Sequence, residues 1–402
     1  MRFLIHDYAG HPFQIQLSRE LARRGHTVLH AFAGELQTPR GELTRRATDP
    51  ESFSVQEVAM DPDYAKYKYS FRRRRSMEIA YGKRLGALIT EWKPDAVISA
   101  NTPTETQQPA LDAAHLAGAR FVMWHQDFYS IAVDKLVRKK IPVVGALIGK
   151  YYRWMEKRQL QGSDHIVAIT QDFVPIMEKE FGVKADKVTV IPNWAPLETL
   201  PVFPRDNDWS REKGLHDSFV YLYTGTLGMK HNPDLLLQLA LQCRETPGAR
   251  VVVISEGIGA DWLKARIAEK GLSNLTVLPY QPFADMPKVL ASGDVLLAVL
   301  EEDAGIFSVP SKVLTYLCAA RPLLLAVPAV NLAARIIQEE NAGLTVPPAG
   351  TAEFLAAAAR LMNEPDSRAA MAARARSYAE ANFTISTIGD RFERILTGKS
   401  SG

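Results

Sequence analysis

Cysteine is nearly missing from these 402 residues: only Cys243 and Cys318 occur, each inside an apolar helical pattern. That excludes a disulfide framework or a Cys-rich metal site and predicts two buried thiols. No apolar run reaches the ~20 residues a helix needs to cross a bilayer. Met1-Arg2-Phe3-Leu4-Ile5 enters a short strand rather than a signal-peptide core, so a cytoplasmic protein is expected. Low-complexity segments and short-period repeats are also lacking. Charge of one sign does not dominate: 48 Lys and Arg oppose 45 Asp and Glu, a net of +3, which argues against nucleic acid as the partner.

What remains is an ordinary globular composition, 47% hydrophobic and 23% charged, in a chain long enough for two domains of roughly 200 residues. The charge is unevenly spread. Residues 1–200 carry 28 Lys and Arg against 23 Asp and Glu, whereas the remainder carries 20 against 22. Within the basic half, Lys66 to Arg84 and Lys135 to Arg158 each hold eight basic residues and one acidic one. The second segment surrounds the apolar run Ile141 to Ile148.

Short apolar runs rich in β-branched residues alternate with helical patterns, the signature of parallel sheets covered by helices. Strands are expected at 2–6, 27–32, 54–59, 96–100, 121–125, 165–170 and 188–191. A second set is expected at 219–223, 250–255, 275–279, 294–300, 322–327 and 343–346. Pro192 to Lys213, with four prolines and a charged cluster, reads as an interdomain connection. The expected fold is α/β: two Rossmann-like, doubly wound domains at 1–195 and 214–382, a linker at 196–213, and a helix in 383–402 that returns to the first domain.

Ligands of open parallel sheets bind beyond the carboxyl ends of the strands. The loop after the first strand holds Gly10, which permits close backbone approach, and His11, then Pro12 at a helix start. No GxGxxG follows this strand, which argues against a nicotinamide or flavin dinucleotide. After the fifth strand come His125 and Asp127, a pair able to orient a hydroxyl. In the second domain, Gly225, Thr226, Gly228 and Lys230 precede a helix and form a candidate diphosphate cradle without the Walker Lys-Ser/Thr step. Glu256, then Tyr280 and Gln281, follow the next two strands and are placed to meet ribose or a nucleobase. Glu302 follows the fourth, where a carboxylate accepts hydrogen bonds from sugar hydroxyls. The segment GIFSVPSKVLTYL ends this series: Ser308 and Pro310 lead to Ser311 and Lys312 at the head of an amphipathic helix, an anion-binding arrangement. Asp61-Pro62-Asp63 and Asp206-Asn207-Asp208 have the Asp-x-Asp form of some metal-dependent sugar transferases, but their contexts read as surface loops, and no metal site is expected.

Taken together, GHPFQIQLSRELARRGHTVLHAF, WHQDF, SDHIVAITQDF, VTVIPNW, YTGTLGMKHNPDLLL, LPYQPFADMPKVLASGDVLLAVL, VPSKVLTYLCAARPLL and ANFT resemble the family 4 retaining glycosyltransferases of the GT-B fold. The resemblance covers nearly the whole chain and points to the branch that builds bacterial exopolysaccharide and lipopolysaccharide. It implies a nucleotide-sugar in the second domain, an acceptor in the first, and reaction in a cleft between them. It also implies that Gly10 approaches the donor phosphate, His125 touches the transferred sugar and Lys230 meets the diphosphate. Two departures stand out. The E-x7-E glutamates of many members fall here near Phe307 and at Thr315, and the arginine that usually precedes Lys230 is Thr226. Ser311, Lys312 or Glu302 is expected to take over part of the donor contact.

The expected reaction moves a sugar from a UDP- or GDP-type donor, a co-substrate rather than a cofactor, to a hydroxyl of a glycan or polyprenyl-linked glycan. His125, Lys230 and Asp127 are the catalytic candidates, with His11 and His125 facing the acceptor. Basic segments 66–84 and 135–158 suit an anionic membrane surface, placing the enzyme peripherally at the inner face of the plasma membrane. A nucleotide-sugar epimerase of the same fold, or a degenerate transferase acting as an assembly scaffold, is the alternative.

Overall fold

The computed structural model describes residues 1–35, 41–67, 70–300, 302 and 311–398, apart from the side chains of Lys140 and Lys230. The chain forms two compact units, Met1–Asn193 with Ile385–Gly402, and Trp194–Thr384. Among the described residues no helix is long and apolar enough to cross a membrane.

The first unit is built on a parallel sheet of β1 (Arg2–Asp7), β2 (Thr27–Ala33), β3 (Phe53–Val58), β4 (Ala96–Ala100), β5 (Arg120–His125), β6 (His165–Ala168) and β7 (Val188–Val190). Their order is β3-β2-β1-β4-β5-β6-β7. The central strands are covered on both faces, so β4 is buried at every position and the sequence shows continuous apolar runs rather than alternation. Register levels the carboxyl ends: Asp7 pairs with Ala100, Ala100 with Trp124, and His125 with Ala168. The strand order reverses between β1 and β4, the position at which such sheets open a crevice for ligands.

Two helix pairs wall that edge. Phe71–Trp92 packs on Thr104–Leu116 at Gly82, where a Cβ would come 3.0 Å from the Thr106 Cα. Tyr129–Lys140 packs on Pro142–Gly162 at Gly145, whose missing Cβ leaves room for the Val137 carbonyl. The C-terminal helix, Ile385–Thr397, belongs to this unit and buries Ile385, Ile388, Phe392, Ile395 and Leu396. Its Phe392 ring lies 4.7 Å from that of Trp124 on β5. Arg24 clamps it, donating to Asp390 (2.6 Å), Glu393 (2.9 Å) and the Ser386 carbonyl (2.6 Å).

The second unit has a parallel sheet of β8 (Phe219–Thr224), β9 (Ala249–Ile254), β10 (Leu275–Leu278), β11 (Val295–Val299), β12 (Leu323–Ala326) and β13 (Gly343–Val346). Their order is β10-β9-β8-β11-β12-β13, reversing between β8 and β11. Every strand expected from the sequence therefore forms, with ends displaced by at most two residues. Both cysteines are free and buried.

Most of Pro192 to Lys213 is built into the second unit rather than left as a free connection. Asn207 caps the short helix Asp208–Glu212, accepting the Trp209 and Ser210 N–H groups at 3.0 and 3.1 Å. Trp209 is buried, and Arg205 donates to Asp294 at 3.0 Å. The turn residues and charges that suggest a linker here serve a cap and an ion pair. Asp61 and Asp208 likewise have local tasks: Asp61 accepts the Asp63 N–H at 2.9 Å, and Asp208 pairs with Lys288 at 3.0 Å.

Candidate functional site

In the first unit the chain leaves β1 through a loop stapled by its own carboxylate. Asp7, fully buried, accepts the Ala9 N–H at 3.2 Å and also that of His11. This turn holds Gly10 at φ +79°, a left-handed backbone that glycine adopts without strain. The Gly10 carbonyl accepts from the Gly41 N–H at 2.9 Å, so the loop is fixed on both sides. His11 is half-buried, and its Nδ1 lies 3.2 Å from the amide nitrogen of Asn101, the first residue after β4.

Asn101 lines a cavity of about 230 Å³ that is also lined by His125, the last residue of β5, and by Gln126 and the exposed Asp127 beyond it. His125 is 2% exposed, its ring edge-on to Phe128 (4.6 Å) and Phe173 (5.7 Å), and its buried Nε2 has no hydrogen-bond partner among the described residues. Burial lowers its pKa from 6.5 to about 3, so the imidazole stays neutral through the working pH range. A neutral imidazole with an unused nitrogen is suited to hydrogen-bond a hydroxyl rather than to act as a cation. Desolvation by its surroundings raises Asp127 above the usual carboxylate range.

The cavity has walls that loop reading does not reveal. Arg74 and Glu78 come from helix Phe71–Trp92, and Glu156 and Gln159 from helix Pro142–Gly162. Glu78 pairs with Arg74 at 3.4 Å and accepts the Tyr64 hydroxyl at 2.8 Å. Glu156 accepts from the Ser130 N–H at 3.3 Å and from its hydroxyl. Burial pushes both carboxyls up to about 7. A sequence signal for both exists: they are the single acids within the two basic segments.

In the second unit the edge beyond β8 gathers Gly225, Thr226, Tyr280 and Lys312. The helix Ser311–Cys318 starts at Ser311, which is exposed, and is tied to β8 through Tyr316, whose hydroxyl accepts the Thr224 N–H at 2.8 Å. That anchor sets Lys312 with its ammonium 3.8 Å from the centre of the Tyr223 ring. Gly225, at φ +105°, leaves the space: a Cβ there would touch the Lys312 Cε and Nζ at 3.4 Å. Burial lowers Lys312 from 10.5 to about 7, and the ring face supplies the one attractive partner seen for the ammonium among the described residues. A desolvated ammonium that no carboxylate pairs with among the described residues is a site suited to an incoming anion.

Around it, the Tyr223 hydroxyl donates to the Thr226 carbonyl at 2.7 Å, and the Thr226 and Tyr280 hydroxyls lie 3.4 Å apart. Glu256 accepts the Tyr280 N–H at 3.2 Å. Gln281 is drawn away, accepting the buried Trp209 indole N–H at 3.0 Å. The Gly228 N–H donates to His231 Nδ1 at 2.9 Å, which closes the loop on itself. Thr315 is half-buried one turn into the helix, and Glu302 is exposed. Ser308, Pro310 and the Lys230 side chain lie outside the described residues.

The family model described as Glycosyltransferase Family 4 matches residues 14–199, and that described as Glycosyl transferases group 1 matches residues 218–364. Each unit thus carries a glycosyltransferase family domain, and the two parallel sheets together have the GT-B fold. Among curated proteins it is similar to alpha-D-kanosaminyltransferase of Streptomyces kanamyceticus, 23% identical over 248 residues and 60% of this chain. The match spans 62% of that relative's length. Among solved structures, Anabaena Alr3699/HepE in complex with UDP-glucose aligns over 99% of this chain and all of its own, with a TM-score of 0.72 and 14% identity. WaaG, a glycosyltransferase involved in lipopolysaccharide biosynthesis, aligns over 99% of this chain and all of its own at 0.70 and 15%.

Proposed function

We propose that the protein transfers a sugar from a nucleoside-diphosphate donor to a hydroxyl of a glycan, with retention at the anomeric carbon. The carrying observation is Lys312, a desolvated ammonium over Tyr223 at the switch-point edge of the second unit. As the glycosidic bond to the donor breaks, negative charge grows on the diphosphate. A cation already held in place stabilises that charge without reorganisation. Lys312 and the amino terminus of its helix meet this demand, with Lys230 expected to add a second charge. Gly225 and Thr226 offer backbone, and Glu256 and Tyr280 offer polar groups to the nucleoside. UDP-type donors are favoured over GDP, because Anabaena Alr3699/HepE is held in complex with UDP-glucose. No metal or other cofactor has a part in this reading.

The first unit receives the acceptor. His125, neutral and with a free Nε2, bonds a sugar hydroxyl, while Gly10 and His11 present backbone and ring at the same edge. The departing phosphate oxygen takes the acceptor proton, so no protein nucleophile is required. A role in surface polysaccharide synthesis is in keeping with the likeness to WaaG, a glycosyltransferase involved in lipopolysaccharide biosynthesis, and a lipid-linked glycan is the acceptor we propose.

A second surface of the first unit supports membrane contact. Helix Pro142–Gly162 and its approach expose Ile141 (56%), Val143 (79%) and Leu147 (66%), beside Lys139, Lys150 and Lys157. Apolar side chains rimmed by lysines suit the inner face of an anionic membrane. Flotation with anionic vesicles tests this; a protein that stays unbound at both low and moderate salt would sink it. For the reaction itself, incubation with UDP-sugars and polyprenyl-linked glycans should give a retained glycosidic product. A donor isomerised without acceptor would instead identify an epimerase.

A further inference from the structure

The cavity of the first unit is unevenly charged. Among the described residues its lining contains one cation, Arg74, already engaged by Glu78 at 3.4 Å. Glu156 and Asp127 line the same space, and among the described residues neither is in an ion pair. Glu156 is 3% exposed, and the Ser130 groups that it accepts from are neutral. After burial itself, the nearby Asp127 charge is among the causes that raise the Glu156 pKa, so the two carboxylates feel each other. His125 does not offset them, being neutral, yet its buried Nε2 has no partner in the same lining. Such a lining offers a buried carboxyl, an exposed one and an unpartnered imidazole nitrogen to a ligand that brings both positive charge and a hydroxyl.

We propose that this cavity receives an amino sugar: its ammonium is held by Glu156 and Asp127, and a ring hydroxyl by His125. The volume of about 230 Å³ is on the scale of one sugar ring. A neutral sugar leaves the buried Glu156 to take up a proton in place of a partner, whereas an ammonium holds it ionised and makes charge-assisted hydrogen bonds to it and to the exposed Asp127. Selectivity then comes from the group that only the amino sugar supplies. The inference rests on the reading that the first unit takes the acceptor, and it names the acceptor's chemistry.

The test is calorimetric titration of the whole protein at neutral pH with glucosamine, glucose and N-acetylglucosamine, repeated on Glu156→Gln and Asp127→Asn. UDP is titrated into the same samples, so that failure of the donor reading is seen separately. Glucosamine should bind at least about tenfold more tightly than the other two. That preference should collapse in both variants, while their UDP affinity and circular dichroism stay as in the wild type. Equal binding of the three sugars, no binding of glucosamine, or a preference that survives both substitutions would overturn the proposal.

Discussion

The Lys312 ammonium stands 3.8 Å above the centre of the Tyr223 ring, and no carboxylate pairs with it among the described residues. Tyr223 ends in a hydroxyl tied to the Thr226 carbonyl, so ring, loop and ammonium form one rigid group. The consequence is an electrostatic site prepared before the donor arrives.

Donor affinity should therefore depend on pH. In the free protein Lys312 loses its proton above about 7, so UDP binding should be strongest at and below neutrality and weaken toward alkaline pH. Bound diphosphate raises the lysine pKa, which moves the decline upward without removing it. Lys312→Ala should lose about 2 kcal/mol of UDP affinity, roughly 30-fold, and flatten this alkaline limb. Titration calorimetry over that range checks both.

His125 should contribute no titration near 6.5. Its burial holds the pKa near 3, so a rate profile between pH 5 and 8 should lack a histidine limb in the wild type. His125→Ala should lower turnover by removing a hydroxyl contact, while the shape of the profile stays unchanged. Steady-state rates at fixed ionic strength decide it.

Glu156→Gln should stabilise the protein in alkaline solution. The folded carboxyl titrates at about 7 against 4.5 for the free group, so the native state holds the proton more tightly than the unfolded chain. Its contribution is fully present below 4.5 and is lost as pH rises through about 7. Removing the charge should restore on the order of 2 kcal/mol above neutrality and change little at pH 4. Thermal melts of both proteins across this range should diverge with rising pH.

Phe392→Ala should cost about 3–5 kcal/mol in the first unit, as for other large core truncations. Phe392 is fully buried against Trp124, next to His125, so the cost should be accompanied by a change in tryptophan emission. Denaturant titration followed by fluorescence measures both.

The sequence discloses strands well and walls poorly, and the reason is physical. β1, β4, β5, β8 and β11 are buried on both faces, so each appears as an apolar run whose end announces a loop. Gly225 and Thr226 follow β8 and His125 ends β5, so they could be found there, whereas Tyr280 follows the half-buried β10 and Lys312 is signalled by the head of its own helix. Arg74, Glu78, Glu156 and Gln159 lie inside long helices, where neither periodicity nor turn residues distinguish a cavity wall from a solvated face. Reading their segments as membrane-facing basic stretches passed over the lone acids, Glu78 and Glu156, that the fold turns inward. In Pro192 to Lys213, read as an interdomain connection, the turn residues and charges also include an N-cap, Asn207, and a buried tryptophan, Trp209, whose local roles composition does not reveal.

The central claim is that Lys312 helps to hold a nucleoside-diphosphate sugar. A thermal-shift panel of UDP, GDP, UDP-glucose and the corresponding nucleosides tests it most directly, with wild type and Lys312→Ala side by side. Ligand bound to the native state raises the melting temperature in proportion to its excess over Kd. The wild type should be stabilised by the diphosphates and the nucleotide-sugar but not by the nucleosides, and Lys312→Ala should lose most of the shift. No shift with any diphosphate, or an equal shift in the variant, would contradict the account.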